Sequence, residues 1–264
     1  MMRRALRMRD RAVGVVAPAV LIVACALAWE AVARYGNFPP KLVPDLPTIA
    51  GAFLRLLESG TLAAATGATL ARLGAGFALA AAFGVSVGVL MGRYPFVEDT
   101  LLPIVSFLYP IPGIAYAPLF VMWFGLGDLP SILLVGVSAS FTIIINAWKG
   151  VRAVRPIWLR SAHMMGANER TIFTKVILPA ALPYVLTGLR LGLASAWRIL
   201  VAVEMLMSVQ QGLGWLIFGS QQFLNTDVML ATIAVIGAIG MLLEKQLFER
   251  IERYTLVRWG MMTA

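Results

Sequence analysis

Six runs of predominantly apolar residues divide this sequence, and each is long enough to cross a lipid bilayer, which takes about 20 residues in a helix. Hydrophobic residues make up 60% of the 264 residues and charged residues only 13%, which is more apolar surface than a soluble domain of this size can bury. The sequence therefore predicts an all-α polytopic membrane protein with six transmembrane helices, at roughly residues 13–33, 62–91, 100–122, 131–148, 180–207 and 228–247.

The third run differs from the others because it contains four prolines, Pro103, Pro110, Pro112 and Pro118. Proline lacks a backbone N–H, and within a bilayer that loss is tolerated only where neighbouring helices or water replace the missing hydrogen bond. We expect this span to be kinked or broken.

The first run has two interpretations. The arginines before it and the sequence Ala31-Val32-Ala33 are similar to a signal peptide with its cleavage site. Its length, and Glu30 just before that site, favour instead a retained peripheral helix at 13–33 after a tail at 1–12. Cleavage would leave five spans and an external N-terminus.

Lysine and arginine are distributed unevenly between the spans. With the N-terminus inside, 16 of the 22 lie in segments predicted to be cytoplasmic and 3 in the outer segments, as the positive-inside rule requires. Both termini, including the tail at 248–264, and the loop 149–179 are therefore predicted to be cytoplasmic. The net charge of +9 fits anionic lipid rather than nucleic acid.

Two outer segments each contain a predicted short helix. In the segment 34–61, Thr48 is predicted to cap a helix at 49–58 that lies at the membrane surface. In 208–226, the apolar centre at 215–218 predicts a second interfacial helix. Its surface suits either a docking protein or the aromatic belt of the membrane.

Small residues recur at intervals of four in the second and fifth spans. Residues at this spacing share one helix face and let another backbone approach closely. The ladders predict packing within the chain or, alternatively, a subunit interface, and they make these two spans central and spans one and six peripheral. Their members are Gly84, Gly88 and Gly92, and Gly188, Gly192 and Ala196.

Catalytic and metal-binding chemistry has almost no residues to build on. The chain has one cysteine, Cys25, and one histidine, His163, so an internal disulfide is impossible. An HExxH zinc site or a histidine-dependent catalytic site is disfavoured for the same reason. Cys25 is expected to pack as a small apolar residue. We predict no catalytic residue, no metal site and no cofactor in this chain.

A polar, basic stretch at 160–179 interrupts the apolar pattern. Ser161 and Ala162 precede Gly166, and a polar helix is predicted to start at Asn168 and Glu169. Gly166 permits a sharp turn, and Pro179 is tolerated in the first turn of the next span. The spacing predicts a short helix along the cytoplasmic surface, which is the kind of loop on which a partner docks.

This stretch resembles the EAA loop of binding-protein-dependent ABC importer permeases. That pattern is Glu-Ala-Ala, three residues, Gly, nine residues, Ile, one residue, Leu-Pro. Every interval is kept here, with Val176 in place of Ile, Ser161 in place of the middle Ala, and Arg160 where the family has Glu.

Two further stretches resemble the nitrate/sulfonate/taurine permease subfamily. One is YPIPGIAYAPL at 109–119, followed by WFGLG at 123–127. The other begins with LPAALP at 178–183 and continues through TGLR at 187–190, Glu204 and GLG at 212–214. The resemblance covers roughly residues 40–258.

The resemblance implies a type I ABC importer permease fold with a cytoplasmic coupling helix, in a permease core at 62–247 that contains the coupling loop 149–179. It also implies a homodimer in a bacterial inner membrane, two ATPase subunits beneath it and a periplasmic or lipid-anchored substrate-binding protein. The chain has no Walker A motif. ATP and Mg would therefore be bound by the partner ATPase, and this chain would not be an enzyme.

The resemblance also implies which residues transmit motion. Residues 160–170 would act as a lever between ATPase and pore during alternating access. His163 is either a contact in the ATPase groove or an ordinary surface histidine. The predicted ATPase-coupling residues are Ser161, Ala162, His163, Met164, Met165, Gly166, Ala167, Glu169 and Arg170.

Charged residues inside spans are functional candidates because they are costly to insert. Arg198 would attract an anionic solute or, alternatively, pair within the protein. Glu204 would act in gating or lie exposed at the interface, and Arg72 would face a second subunit or snorkel outward. The candidate pore and gate residues are Tyr109, Pro110, Pro112, Trp197, Arg198 and Glu204.

Two rival functions make different sequence predictions. A secondary transporter driven by an ion gradient would show matching broken helices in two halves, and only one span here is broken by proline. An intramembrane enzyme would need paired catalytic residues.

Among the resembling families the solutes include nitrate, bicarbonate, taurine, sulfonates, aromatic carboxylates and a thiamin precursor.

Overall fold

The computed structural model describes residues 20–207 and 210–247, and all regular secondary structure in these ranges is helical. The helices are α1 at 20–35, followed by α2 (Leu46–Glu58), α3 (Thr61–Arg93), α4 (Pro95–Leu108), a 3-10 turn (Gly113–Tyr116), α5 (Ala117–Phe124), α6 (Asp128–Arg152), α7 (Pro156–Met164), α8 (Glu169–Ile172), a π-helical turn (Phe173–Ile177), α9 (Leu178–Leu206), α10 (Leu213–Gln222), α11 (Thr226–Leu242) and a second π-helical turn (Leu243–Leu247).

Four helices in the described ranges are long and apolar enough to cross a membrane, at Thr61–Arg93, Asp128–Arg152, Glu169–Leu206 and Thr226–Lys245. A fifth candidate span consists of Pro95–Leu108 and Gly113–Phe124, which meet at 91°. The predicted break in the third span is thereby confirmed. Part of the first predicted span, 13–19, lies outside the described residues, and the remainder is helical in α1. Cys25 is exposed on that helix rather than packed.

Helix α6 occupies the centre of the unit formed by residues 62–216 and 235–247. The glycines of α3 lie against it so closely that a Cβ added at Gly88 would stand 2.5 Å from the Ile144 carbonyl oxygen. On another side, a Cβ added at Gly192 of α9 would stand 2.7 Å from the Ile143 side chain. Both small-residue ladders therefore serve packing within the chain, which confirms the first of the two interpretations.

The fifth span begins earlier than predicted, because helical structure continues from Glu169 to Leu206. A π-helical turn at Phe173–Ile177 precedes Pro179 and Pro183. Pro179 has no N–H for the carbonyl one turn earlier, and its ring crowds that carbonyl. A wider turn at this point keeps the chain helical despite the proline.

Residues 20–61 and 217–234 form a second unit. Within it, Trp29 Nε1 donates to the Pro44 carbonyl at 3.0 Å, and Arg55 pairs with Asp227 at 2.9 Å. The cap prediction for α2 was wrong by three residues: Asp45, not Thr48, caps the helix, and its carboxylate accepts from the Thr48 N–H at 3.0 Å. Ionised Asp at this position stabilises the helix N-terminus more than a threonine hydroxyl.

Candidate functional site

The turn between α7 and α8 explains the spacing of Ala162 and Gly166. The Gly166 N–H donates to the His163 carbonyl at 2.9 Å, and the Ala167 N–H donates to the Ala162 carbonyl at 3.0 Å. This is the Schellman pattern, which needs a left-handed residue directly after the helix. Gly166 adopts φ +77°, a conformation that glycine reaches without strain.

Ala162 attaches the coupling segment, residues 160–170, to the helical bundle. Its side chain is buried, with Ala167 beside it, in a cluster that includes Val89 of α3, Val151 of α6 and Ala181 of α9. Asn168 then caps α8 by accepting from the Thr171 N–H at 2.8 Å. The segment is thus fixed by small side chains and by caps at both of its helices.

The opposite face of the coupling segment exposes two large apolar side chains among polar ones. Met164 is 89% exposed and Met165 80% exposed. Ser161, Arg160 and Arg170 are exposed as well. Exposed methionines side by side on a polar surface are typical of a protein-binding site, because their flexible thioethers adapt to a partner groove.

Arg93 is a neighbour of the coupling segment that the sequence did not predict. It lies at the end of α3 and forms an ion pair with Glu169. The same carboxylate lies 3.1 Å from His163 Nε2, while His163 Nδ1 lies 2.9 Å from the Leu159 carbonyl oxygen. Both ring nitrogens therefore face acceptors, and only the imidazolium can donate to both. The Leu159 carbonyl, and after it Glu169, raises the pKa of His163.

We expect the coupling segment to loosen as the pH rises through this raised pKa. The folded segment holds the proton more tightly than the unfolded chain, so the stabilisation is complete below the ordinary value of 6.5 and is lost as the pH passes the folded value. Hydrogen exchange of 160–170, corrected for its intrinsic pH dependence, should show this loss, and His163→Gln should remove it. An equal pH response in the variant would contradict the prediction.

The break in the third span forms one wall of a cavity of about 340 Å³. Gly113 lies so close to α6 that an added Cβ would stand 2.6 Å from Ser138 Oγ. Four predicted site residues meet at this cavity: Tyr109, Pro110, Pro112 and Arg198. Helices α6 and α9 add hydroxyl groups that the sequence analysis missed, from Ser138, Thr142 and Ser195, and Tyr116 adds another.

Arg198 is the only cationic side chain among the residues that line this cavity. It is an exposed residue of α9 that also lines a second cavity, beside Trp197. No ion pair or hydrogen bond joins it to another described residue. The alternative in which Arg198 pairs structurally with a carboxylate is therefore wrong for the part of the chain that the structure describes.

Trp197 and Glu204 do not line the cavity at the break. Trp197 is buried and lines a separate cavity of about 260 Å³ between α9 and residues 236–244. Glu204 is 0% exposed and pairs with Arg72 at 2.7 Å. Glu204 is thus not exposed at an interface, and Arg72 neither snorkels outward nor faces a subunit. Sequence separation hid this pair, since the two residues are 132 positions apart.

Comparisons with known proteins agree with this architecture. Residues 80–253 match the family model described as the binding-protein-dependent transport system inner membrane component. The taurine transport system permease protein TauC of Escherichia coli (strain K12) is 40% identical over 206 residues, covering 78% of this chain and 74% of TauC. The bicarbonate transport system permease protein CmpB of Synechococcus elongatus is 35% identical over 179 residues, covering 67% of this chain and 64% of CmpB.

Among solved structures, this fold is similar to a chain of the MetNI methionine ABC transporter in an inward-facing conformation. The TM-score is 0.64 at 21% identity, and the match covers 75% of this chain and 97% of that chain. The fold is that of type I ABC importer permeases, as predicted. On the family match and on its identity with TauC, the chain belongs to the inner membrane components of binding-protein-dependent transport systems, the permeases of ABC transporters.

Proposed function

We propose that this chain is the permease subunit of an ATP-driven importer and that it moves a small anionic solute into the cytoplasm by alternating access. The observation that carries the proposal is the position of Arg198. This cation belongs to a spanning helix, lines the cavity at the break and has no protein partner among the described residues. Placing arginine at the centre of a membrane helix costs about 2.5–3.5 kcal/mol or more. A solute anion would offset that cost whenever it occupies the cavity.

The chemistry around Arg198 favours an oxyanion of the sulfonate, nitrate, bicarbonate or carboxylate type. A guanidinium presents a planar fork of N–H donors that matches two oxygens of such a group. The hydroxyls of Ser138, Thr142 and Ser195 line the same cavity and can donate further hydrogen bonds to oxygen. Two relatives point the same way, since their names specify taurine, a sulfonate, and bicarbonate.

The proposed assembly contains two copies of this chain, two ATPase subunits and a substrate-binding protein at the outer face. Each ATPase would receive one coupling segment in a surface groove, with Met164 and Met165 as apolar contacts and with His163, Glu169 and Arg170 as polar ones. ATP and Mg²⁺ would be bound by the ATPase subunits. Both termini and the coupling segment would then be cytoplasmic, as the distribution of positive charge indicates.

Motion would pass from the ATPase to the cavity along one continuous helical path. The coupling segment is anchored at Ala162, and helical structure runs without interruption from Glu169 to Leu206. Arg198 belongs to that same helix. A displacement of the segment would therefore reach the cavity wall directly, which is the kind of two-state rigid element that coupling requires.

Co-purification tests the proposed docking face. We expect the chain, co-expressed with the ATPase subunit of the same transporter, to form a stable complex. The double variant Met164→Ser and Met165→Ser should weaken the binding at least about tenfold, as loss of apolar anchors does at interfaces. Leu57→Ser is the control, because Leu57 is also an exposed apolar residue, at 52%, but lies on α2, outside the candidate spans and in a segment predicted to face the outer side. The proposed docking would be contradicted if the native chain and the ATPase did not associate, or if the control variant weakened the binding as much as the double variant.

A further inference from the structure

A buried ion pair joins two spanning helices and includes no residue that lines the cavity at the break or belongs to the coupling segment. Arg72 of α3 donates from Nη1 to Glu204 Oε1 of α9 at 2.7 Å, and the Glu204 side chain is fully buried. Charged side chains buried inside a protein are costly unless each charge is compensated. The surrounding contacts show how that compensation is achieved.

Glu204 is the centre of a hydrogen-bonded network that binds the backbone of residues 211–214. Its Oε2 accepts from Thr69 Oγ1 at 2.9 Å and from the Gly214 N–H at 3.0 Å. Thr69 Oγ1 in turn accepts from the Leu213 N–H at 2.9 Å. Arg72 donates to the Gln211 carbonyl at 2.6 Å and, through Nε, to Asp128 at 2.7 Å. We call these contacts the Glu204 network.

Two glycines allow the loop backbone to reach the carboxylate. A Cβ added at Gly212 would stand 2.5 Å from Glu204 Oε2, and Gly212 has φ +155°. A Cβ added at Gly214 would stand 2.3 Å from the Val201 carbonyl oxygen. These residues thus lie directly on α9, where the Gly214 N–H donates to the buried carboxylate and the Leu213 N–H donates to Thr69 Oγ1.

We propose that Thr69, Arg72 and Glu204 are positioning residues that fasten residues 210–214, which are the loop before α10 and the start of that helix, to α3 and α9. These three parts stay joined as one rigid body throughout the transport cycle. Separating the pair would strand two desolvated charges and several backbone donors at once. The network is therefore a permanent joint, and the outer opening needed for alternating access forms elsewhere. The statement about the cycle rests on the proposed function, whereas the positioning role does not.

The joint determines which parts of the chain move together with α9. Since α9 continues the helical path from the coupling segment and also carries Arg198, a displacement delivered by the ATPase moves α3 and the loop together with the cavity wall. An opening at the Glu204 network would instead uncouple the loop from that motion.

Hydrogen exchange of the Leu213 and Gly214 amides tests the positioning role directly. Thr69 is fully buried, and Thr69→Val keeps its shape but removes the acceptor for the Leu213 N–H. We expect exchange in 211–216 to become at least about fivefold faster in Thr69→Val, the equivalent of one lost hydrogen bond, and to stay native in Thr69→Ser, which retains the hydroxyl. Unchanged exchange in Thr69→Val would overturn the proposal.

Arg72→Lys provides a second variant that keeps the charge beside Glu204 but loses the guanidinium fork. It should speed exchange in the same peptide while the exchange of α6 peptides, which report the fold of the bundle, stays native. Native exchange at 211–216 in this variant would show that Arg72 does not hold the loop.

The rigid-body statement is tested on the complete transporter in lipid nanodiscs, with and without ATP turnover. We expect exchange in 160–170 to change during turnover and exchange in 211–216 to stay at its resting value. If turnover raises exchange in 211–216 of the native chain to the Thr69→Val level, the network opens in each cycle and the proposal is wrong. If 160–170 is also insensitive to ATP, the proposed coupling fails instead, and the comparison of Thr69→Val with Thr69→Ser still decides the positioning role.

Discussion

Gly166→Val reduces ATP-driven uptake at least about tenfold, while the variant inserts into the membrane in native amounts. The cause is conformational rather than steric, because a Cβ at this position would meet no atom within 4 Å. A β-branched residue at φ +77° carries about 1–3 kcal/mol of backbone strain. Relief of that strain would unwind the turn between α7 and α8 and disconnect Met164 and Met165 from α9. Transport assays on proteoliposomes containing the complete transporter measure the effect.

Gly166→Asn is the matched control for this prediction. Asparagine is a larger residue than glycine but tolerates the left-handed conformation, so this variant should keep most of the uptake. Continued ATP hydrolysis without uptake in Gly166→Val would place the defect in coupling rather than in assembly. Normal uptake in Gly166→Val would refute the role of the coupling segment as a lever.

Arg198→Met is expected to reduce anion uptake at least about tenfold, because a hydrogen bond to a charged group contributes about 1.5–3 kcal/mol and the solute would lose its guanidinium donor. Methionine keeps the length and the apolar stem of the side chain but has no N–H donor. Arg198→Lys retains the charge without the planar fork, so its uptake should lie between that of the native chain and that of Arg198→Met. Uptake of radiolabelled taurine and bicarbonate, measured separately, checks this prediction and shows which oxyanion depends on the guanidinium.

Arg55→Met serves as the control for charge removal. Arg55 forms an exposed ion pair with Asp227, and exposed pairs contribute only about 0–1 kcal/mol, so uptake should stay near native. If Arg198→Met transports both anions as well as the native chain does, the cavity at the break is not the binding site for the solute. An equal loss in Arg55→Met would point to a general effect of charge on assembly.

The features predicted well from the sequence depend on local order along the chain. Hydrophobic runs identified four of the six predicted spans, and the bent pair that makes a fifth, in the described residues, because a bilayer sets a minimum length for a helix that crosses it. The interval between Ala162 and Gly166 was informative because a Schellman turn has a fixed number of residues. The break at Pro110 and Pro112 followed from missing backbone donors.

The features that the sequence could not provide depend on contacts between distant segments. Arg72 lies 132 positions before Glu204, and nothing near Glu204 in the sequence indicates that the two side chains pair. Local sequence patterns therefore could not predict this buried ion pair. The hydroxyls of Thr142 and Ser195 meet only because α6 and α9 pack through glycines. At α2, the cap is Asp45 or Thr48 depending on the residue at which the helix begins, and the sequence pattern alone does not determine that residue.

Reconstituted transport with the driving force under control tests the central claim most directly. The chain is placed in proteoliposomes with the ATPase and the binding protein proposed as its partners. Ion gradients are collapsed with ionophores, and ATP is supplied on the ATPase side. Uptake of taurine or bicarbonate that requires ATP and fails with an ATPase mutated in its Walker A lysine is the predicted result. Uptake that follows an imposed ion gradient and proceeds without ATP or the ATPase would contradict the account and identify the chain as a secondary transporter.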